Sequence, residues 1–187
     1  MRRILAPPLR TWPSGSARQG RLRGRGLAAG ALAGGRVRVN PARIVVGGIS
    51  AGGGVAANAA LLGRDRGLNR PLAAQLLRHP TLDDCTSLAP DDRMRPYLIW
   101  TAENSELAWL PYLAGSGRCA TAARAEDVSG LPPTFIGVGS LDLFRDEGVA
   151  YAARLARTGV AVEFHLYLEV PHGFKGAALG IRQAREM

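Results

Sequence analysis

The sequence predicts an α/β fold, a parallel sheet flanked by helices, and three observations support it. Short β-branched apolar runs, which are typical of buried parallel strands, recur within residues 41–187. Segments with helical hydrophobic periodicity separate these runs. Strand and helix alternate through the C-terminal third, which is the order that right-handed crossovers require. With 187 residues and 47% hydrophobic content, the chain suits one domain that has a core.

The first predicted strand and helix flank a glycine-rich turn. Residues 43–49 form an apolar, β-branched run that predicts a buried strand. Residues 51–66 carry Val55, Ala59 and Leu62 at helical spacing, which predicts an amphipathic helix. The turn between them therefore lies at the carboxyl end of a strand, where α/β folds bind their ligands.

The later elements continue the alternation. We predict strands at residues 72–77, 134–138 and 162–168, and helices within 97–113 and at 146–158. Trp100, Leu107 and Leu110 give the first of these helices an apolar set for packing. Asp146 and Glu147 fall in the first turn of the second, where carboxylates favour the positive end of the helix dipole.

Residues 1–40 differ in character from the rest of the chain. They hold nine arginines, no acidic residue and no hydrophobic periodicity, so we predict a disordered arm. The net charge of +9 lies in this arm. The body, residues 41–187, is electrically balanced, and we expect no nucleic-acid partner for it.

Cys85 and Cys119 are far apart and show no metal-ligand spacing. We therefore predict reduced thiols, with neither a disulfide nor a metal site. No apolar stretch approaches the length of a membrane-spanning helix, so no membrane partner is expected. The chain begins with Met1 and two arginines, like a charged signal region, but no continuous apolar block follows. The prediction is a cytoplasmic protein.

The motif G-x-S-x-G lies between the first strand and the first helix, at Gly48-Ile49-Ser50-Ala51-Gly52. In this context the serine occupies a tight, strained turn that exposes its hydroxyl. The elbow glycines, Gly48 and Gly52, are expected to avoid collisions there. We predict Ser50 as a nucleophile, with the backbone N–H of Ala51 donating to the oxyanion that forms on attack.

Two other interpretations apply to this stretch. One is a glycine-rich turn without chemistry, the usual meaning of such a motif outside a strand–turn–helix context. The other is a dinucleotide-binding loop, because residues 52–57 satisfy G-x-G-x-x-A. Those glycines, however, begin three residues after the strand, and no acidic residue ends a second strand at the interval that a ribose contact needs. The placement of these glycines therefore does not fit a dinucleotide-binding loop.

A serine hydroxyl is a weak nucleophile that needs a base, and the chain has three histidines. His172 follows the last predicted strand, at the edge of the sheet, and is the predicted base. An ordinary loop histidine is the alternative for this residue. His165 alternates within that strand and fits a packed or surface strand residue, whereas His79 precedes Pro80 and fits a turn.

The base in turn needs a carboxylate that fixes its tautomer, and Asp142 is the candidate. Asp142 follows the strand at 134–138 and completes the chain order serine, aspartate, histidine that this motif predicts. Asp146 is the competitor, and a helix-start role is its alternative. Asp83 and Asp84 follow an earlier strand and fit turn caps.

With these residues in place, the body of the chain resembles the hormone-sensitive-lipase-like family of bacterial esterases in the α/β-hydrolase superfamily. The segments that carry this resemblance are residues 40–54, 142–148 and 172–174. The resemblance implies a partial α/β-hydrolase fold with Ser50, Asp142 and His172 as its triad. It also implies hydrolysis of carboxylic esters, chiefly of short acyl chains, through an acyl-enzyme and without a cofactor.

Parts of that family's pattern are missing. This sequence contains no His-Gly-Gly-Gly loop, which completes the family's oxyanion hole, and lacks the early strands and cap helices. We therefore expect a truncated reading frame with an out-of-phase arm, and an exposed sheet edge near residues 44–49 that favours a homodimer or aggregation. The competing hypothesis is a non-catalytic remnant, whose arginine arm binds nucleic acid or anionic surfaces.

Overall fold

The computed structural model describes residues 40–68, 71–113 and 121–174. The main elements, in chain order, are β1 (Val45–Ile49), α1 (Ala51–Asp65), β2 (Ala74–Arg78), α2 (Ala102–Leu113), β3 (Thr134–Leu141), α3 (Arg145–Arg157) and β4 (Val162–Pro171). The four strands form one sheet in the order β1-β2-β3-β4, and all three pairings are parallel. The predicted α/β fold with a parallel sheet is confirmed. The predicted arm, residues 1–40, lies outside the described residues except for Asn40.

Several strand boundaries differ from the predicted ones, and β2 spans Ala74–Arg78 where residues 72–77 were predicted. β1 begins later because Pro41–Arg43 forms a short 3₁₀ turn, in which the Asn40 side chain accepts a hydrogen bond from the Ala42 N–H. β3 and β4 each run three residues beyond their predicted ends. Their pairing shifts register after Gly139 and then resumes, which extends both strands toward the site.

One hydrophobic core joins the sheet to α1 and α3. Its most buried members come from both helices and the two central strands, and they include Ala57, Leu77, Ile136, Tyr151 and Leu155. Both helices therefore cover the same face of the sheet. Burying a large aliphatic side chain such as Leu77, Ile136 or Leu155 stabilises the fold by about 1.5–3 kcal/mol.

The expectation that Trp100, Leu107 and Leu110 form an apolar set for packing is wrong among the described residues. Leu107 and Leu110 are 66% and 61% exposed, and Trp100 is 36% exposed. The buried residue of α2 is Ser105, so the apolar side chains of this helix do not form its packed face among the described residues. The start of the helix is instead tied by an ion pair between Arg95 and Glu103.

The outer edge of β1 has no strand partner within the described part of the chain. Ile44 and Ser50 bond through their backbones to the β2 side. Because hydrogen bonds alternate along a parallel strand, Val45, Gly47 and Ile49 direct their N–H and C=O groups away from β2. Val45 and Ile49 are also 37% and 52% exposed. Among the described residues, the predicted open edge near residues 44–49 is therefore present.

We expect this edge to pair with β1 of a second copy. β1 carries no charge, whereas the other outer strand, β4, carries Glu163 and Glu169, which discourage edge pairing. Sedimentation velocity should show a monomer–dimer equilibrium that Val45→Lys shifts to monomer. Leu168→Lys, on β4, should leave the equilibrium unchanged. A wild-type chain that stays monomeric at high concentration would contradict this prediction.

Candidate active site

Ser50 occupies the sharp turn between β1 and α1. Its φ and ψ of 56° and −128° lie in a region that residues other than glycine rarely adopt, so this backbone is strained. The turn is fixed by bonds from the Ser50 N–H to the Arg78 carbonyl (2.9 Å) and from the Gly53 N–H to the Ser50 carbonyl (2.8 Å). The serine is therefore held by backbone bonds to β2 and to the first turn of α1.

The two elbow glycines differ in what they require. A Cβ at Gly48 would lie 2.0 Å from the Gly52 carbonyl oxygen, so no side chain fits there. A Cβ at Gly52 meets no atom within 4 Å. The expectation that Gly52 must avoid a collision is therefore wrong among the described residues, because the close approach involves its backbone and not its side-chain position.

The other two predicted residues follow neighbouring strands. Leu141, the last residue of β3, pairs in register with Pro171, the last residue of β4. Asp142 and His172 come next in the two chains and therefore lie side by side at the carboxyl end of the sheet. Their separation in sequence is large, but the parallel register places them together.

Ser50, His172 and Asp142 form one continuous hydrogen-bonded chain. The Nε2 atom of His172 is 2.9 Å from the Ser50 Oγ, and its Nδ1 atom is 2.9 Å from the Asp142 Oδ2. With the proton on Nδ1, that nitrogen donates to the carboxylate and Nε2 accepts from the serine hydroxyl. This is the arrangement that lets an imidazole take the proton of a serine.

The Asp142 carboxylate is fully buried and held by the backbone. Its Oδ1 accepts from the Phe144 N–H at 2.9 Å, while Oδ2 faces His172. The side chain is 0% exposed. A carboxylate in this setting has few orientations open to it, so it fixes the tautomer and the direction of the neighbouring imidazole.

Aromatic neighbours hold the His172 ring. Phe144 packs edge-on against it with 5.1 Å between ring centroids, and His79 does so at 5.4 Å. The side chain of His172 is only 11% exposed. Two neighbouring rings therefore restrict the orientation of the His172 ring, and in this orientation its Nε2 faces Ser50.

Ala51 begins α1, directly after the serine. The first N–H groups of a helix have no partner within the helix, and they lie at the positive end of its dipole. The Ala51 N–H therefore belongs to the group of donors that can face negative charge formed near Ser50.

The residues considered as alternatives to Asp142 and His172 bind other partners. Asp146 pairs with Arg145 at 2.7 Å on the exposed start of α3, and this hydrogen bond lowers its pKa. Asp83 accepts from the Cys85 N–H at 2.9 Å, as a turn cap does. His165 is 2.8 Å from Glu163 at the surface of β4. The structure does not bring these three residues to the Ser50 hydroxyl.

Sequence reasoning missed the burial and the hydrogen-bond partners of Glu147. We assigned it to the dipole of its helix, but it is only 8% exposed and reaches across to the segment after β2. It accepts hydrogen bonds from the N–H groups of Leu82 (2.6 Å) and Asp83 (3.3 Å) and contacts the Thr86 hydroxyl. Burial, opposed in part by these bonds, raises its pKa to about 8. No periodicity in the sequence marks this contact.

Glu147 should make stability depend on pH. Its pKa is higher in the folded chain than in the unfolded chain, so its stabilising effect is complete below about 4.5 and is lost as the pH rises through about 8. We expect the free energy of unfolding, measured in urea at about pH 5 and about pH 9, to fall by a few kcal/mol. Glu147→Gln should remove most of that fall. Equal pH dependence in both proteins would contradict the prediction.

The described residues contain one group that could offer three ligand atoms to a metal ion, Asp83, Asp84 and Cys85. The Arg124 Nε lies 2.9 and 3.1 Å from the two carboxylates, so a guanidinium already compensates their charge. Two hard oxygens with one exposed thiol also match no single metal well. Within the part of the chain that the structure describes, no helix is long and apolar enough to cross a membrane.

Fold and geometry together define a class of protein. A serine on a strand–turn–helix elbow, with an aspartate and a histidine after later parallel strands, is the site of the α/β-hydrolase class. The family model described as alpha/beta hydrolase fold matches residues 26–176. The chain belongs to this family.

Individual relatives are esterases. Carboxylesterase NlhH from Mycobacterium tuberculosis is 38% identical over 154 residues, which are 79% of this chain and 48% of that protein. A bacterial heroin esterase structure has a TM-score of 0.72 at 34% identity and covers 83% of this chain and 51% of its own. A hormone-sensitive lipase from a metagenome library has a TM-score of 0.67 at 26% identity, with coverages of 75% and 49%.

These relatives confirm the resemblance to hormone-sensitive-lipase-like bacterial carboxylesterases and the partial character of the fold. The chain spans about half the length of the curated relatives it matches. The substrates of these longer relatives are therefore attributed to those proteins alone.

Proposed function

We propose that this chain is a serine hydrolase of carboxylic esters, with Ser50 as nucleophile, His172 as base and Asp142 as the residue that orients the base. The observation that carries the proposal is the pair of 2.9 Å contacts that join the three side chains. The names of the relatives, carboxylesterase and esterase, support the substrate class.

The first half of the reaction acylates the serine. His172 Nε2 takes the proton of the Ser50 hydroxyl while Oγ attacks the carbonyl carbon of the ester. The carbonyl oxygen becomes an oxyanion that the Ala51 N–H can stabilise. When this intermediate collapses, the bond to the alcohol oxygen breaks, and the imidazolium gives its proton to the leaving alcohol. An acyl-enzyme at Ser50 remains.

The second half regenerates the enzyme. Water gives a proton to His172 Nε2 and attacks the acyl carbon, and the second oxyanion forms in the same place. Collapse releases the carboxylic acid and returns the proton to Ser50. Asp142 stays ionised throughout and stabilises the imidazolium that forms in each half.

Turnover is expected to be slow. The 187 residues of this sequence contain no His-Gly-Gly-Gly loop, and the Ala51 N–H is the one oxyanion donor that we assign among the described residues. The loss of one oxyanion donor lowers turnover by about 10²–10³-fold. We further propose short acyl chains as substrates, as the family resemblance implies. The cytoplasmic location stays a prediction.

The substrate class is tested with p-nitrophenyl esters of increasing acyl length, from acetate to palmitate. We expect release of p-nitrophenol to be fastest for the acetate or butyrate and to fall for longer chains. The matched control is Ser50→Ala, which keeps the fold but has no hydroxyl. Release at the rate of that control for every ester would contradict the proposed function.

A further inference from the structure

His79 lies at the same carboxyl-terminal edge of the sheet as the proposed catalytic residues. It directly follows β2, just as Ser50, Asp142 and His172 follow β1, β3 and β4. Because β2 lies between β1 and β3, the fold places His79 between the elbow and the acid. The sequence favoured a turn role for this residue, and the proposed mechanism does not use it.

The backbone at His79 is constrained. Its φ is +42°, a value that residues other than glycine seldom adopt, and its N–H donates to the Gly137 carbonyl at 2.8 Å. The residue is only 1% exposed. The chain thus holds a buried imidazole in a strained backbone conformation beside the site.

The His79 ring faces the Asp142–His172 pair. Its Nδ1 lies 3.8 Å from the Asp142 Oδ2, the same oxygen that faces His172 Nδ1. No atom of the described residues makes a hydrogen bond to His79 Nδ1. The ring also packs edge-on against His172 and against Phe174, with both centroid distances at 5.4 Å.

Burial is the main reason that the His79 ring is neutral. Burial lowers its pKa to about 4, Asp142 opposes this, and His172 and Arg78 add to it. A neutral imidazole has one N–H, which either ring nitrogen can carry. A proton on Nδ1 points at a buried carboxylate oxygen, so that tautomer is the one that Asp142 favours.

We propose that His79 is a positioning residue that presents its Nδ1–H to the Asp142 Oδ2 and confines the His172 ring. This inference rests on the proposed function and names a further residue for the same site. The Nδ1–H draws negative charge at Asp142 toward itself, so it weakens the pull of the carboxylate on the His172 proton. Without this donor the carboxylate stabilises the His172 imidazolium more strongly, and the pKa of His172 rises.

The proposal is tested by NMR titration of the His172 imidazole in three variants. His79→Phe keeps an aromatic ring but loses the N–H, and we expect it to raise the pKa of His172 by roughly half a unit or more. His79→Asn keeps an N–H near the position of Nδ1 and tolerates a positive φ, so it should restore the wild-type titration. His165→Phe, on the surface of β4, is the matched control and should leave the His172 titration unchanged.

Kinetics adds a second readout. The acid limb of the kcat/KM profile should move with the His172 pKa in His79→Phe and return in His79→Asn. An unchanged His172 titration in a folded His79→Phe, or an equal shift in His79→Asn, would overturn the inference.

The titration also separates this inference from the proposed function, because it needs no turnover. A chain that shows the His79→Phe shift but hydrolyses no ester keeps the positioning role and contradicts the esterase proposal. If hydrolysis depends on Ser50 but the His172 titration is the same in His79→Phe as in the wild type, only the positioning role is contradicted.

Discussion

Ser50→Ala and His172→Ala should each reduce ester hydrolysis to the uncatalysed background. The hydroxyl of Ser50 is the proposed nucleophile, and among the described residues the base that contacts it is the His172 Nε2, at 2.9 Å. Members of such a triad act as a unit, so the loss of either one costs about as much as the loss of all, on the order of 10⁶-fold in an intact site. The measurement is the initial rate of p-nitrophenyl butyrate hydrolysis.

Matched controls separate chemistry from folding. Ser129→Ala removes a half-buried serine whose hydroxyl donates to Asp127, and His165→Ala removes the surface histidine of β4. Both should hydrolyse at the wild-type rate, and all four variants should unfold at similar temperatures. Hydrolysis that survives in Ser50→Ala would place the nucleophile elsewhere.

Asp142→Asn should lower turnover by about 10⁴-fold and leave a measurable residual activity. The amide keeps the size of the side chain but no longer accepts the His172 Nδ1–H as a charged group, so the imidazole loses its tautomer and its stabilisation as an imidazolium. The serine and its base remain in place. The residual rate should therefore exceed that of Ser50→Ala.

Asp146→Asn is the matched control for this substitution. Asp146 lies four residues after Asp142, and its carboxylate is 72% exposed and pairs with Arg145. An exposed pair of this kind contributes at most about 1 kcal/mol to stability. We expect wild-type turnover in this variant. An equal loss in Asp142→Asn and Asp146→Asn would contradict the choice of acid.

The sequence predicts the elbow and the three residues that meet at it because the governing patterns are local. A strand, a G-x-S-x-G turn and a helix are read along one stretch around Ser50, and Asp142 and His172 each follow a strand. In a parallel sheet all such positions share one edge, so three separate local patterns converge without knowledge of the packing.

The residues that sequence reasoning misjudged depend on which elements become neighbours. His79 is beside Asp142 only because β2 pairs between β1 and β3, and strand order is not written in the hydrophobic pattern. Glu147 is buried because α3 packs over the segment after β2. Leu107 and Leu110 have the spacing of a packed face, but no described element covers them.

Covalent labelling at Ser50 tests the proposed site most directly. The wild-type chain, treated with an activated fluorophosphonate and analysed by mass spectrometry of its peptides, should carry one adduct, on Ser50. The adduct should be absent from Ser50→Ala and His172→Ala, and reduced in Asp142→Asn, because the hydroxyl reacts only when its base is present and oriented. A well-folded chain whose Ser50 stays unlabelled, or whose labelling persists in His172→Ala, would contradict the assignment of the site.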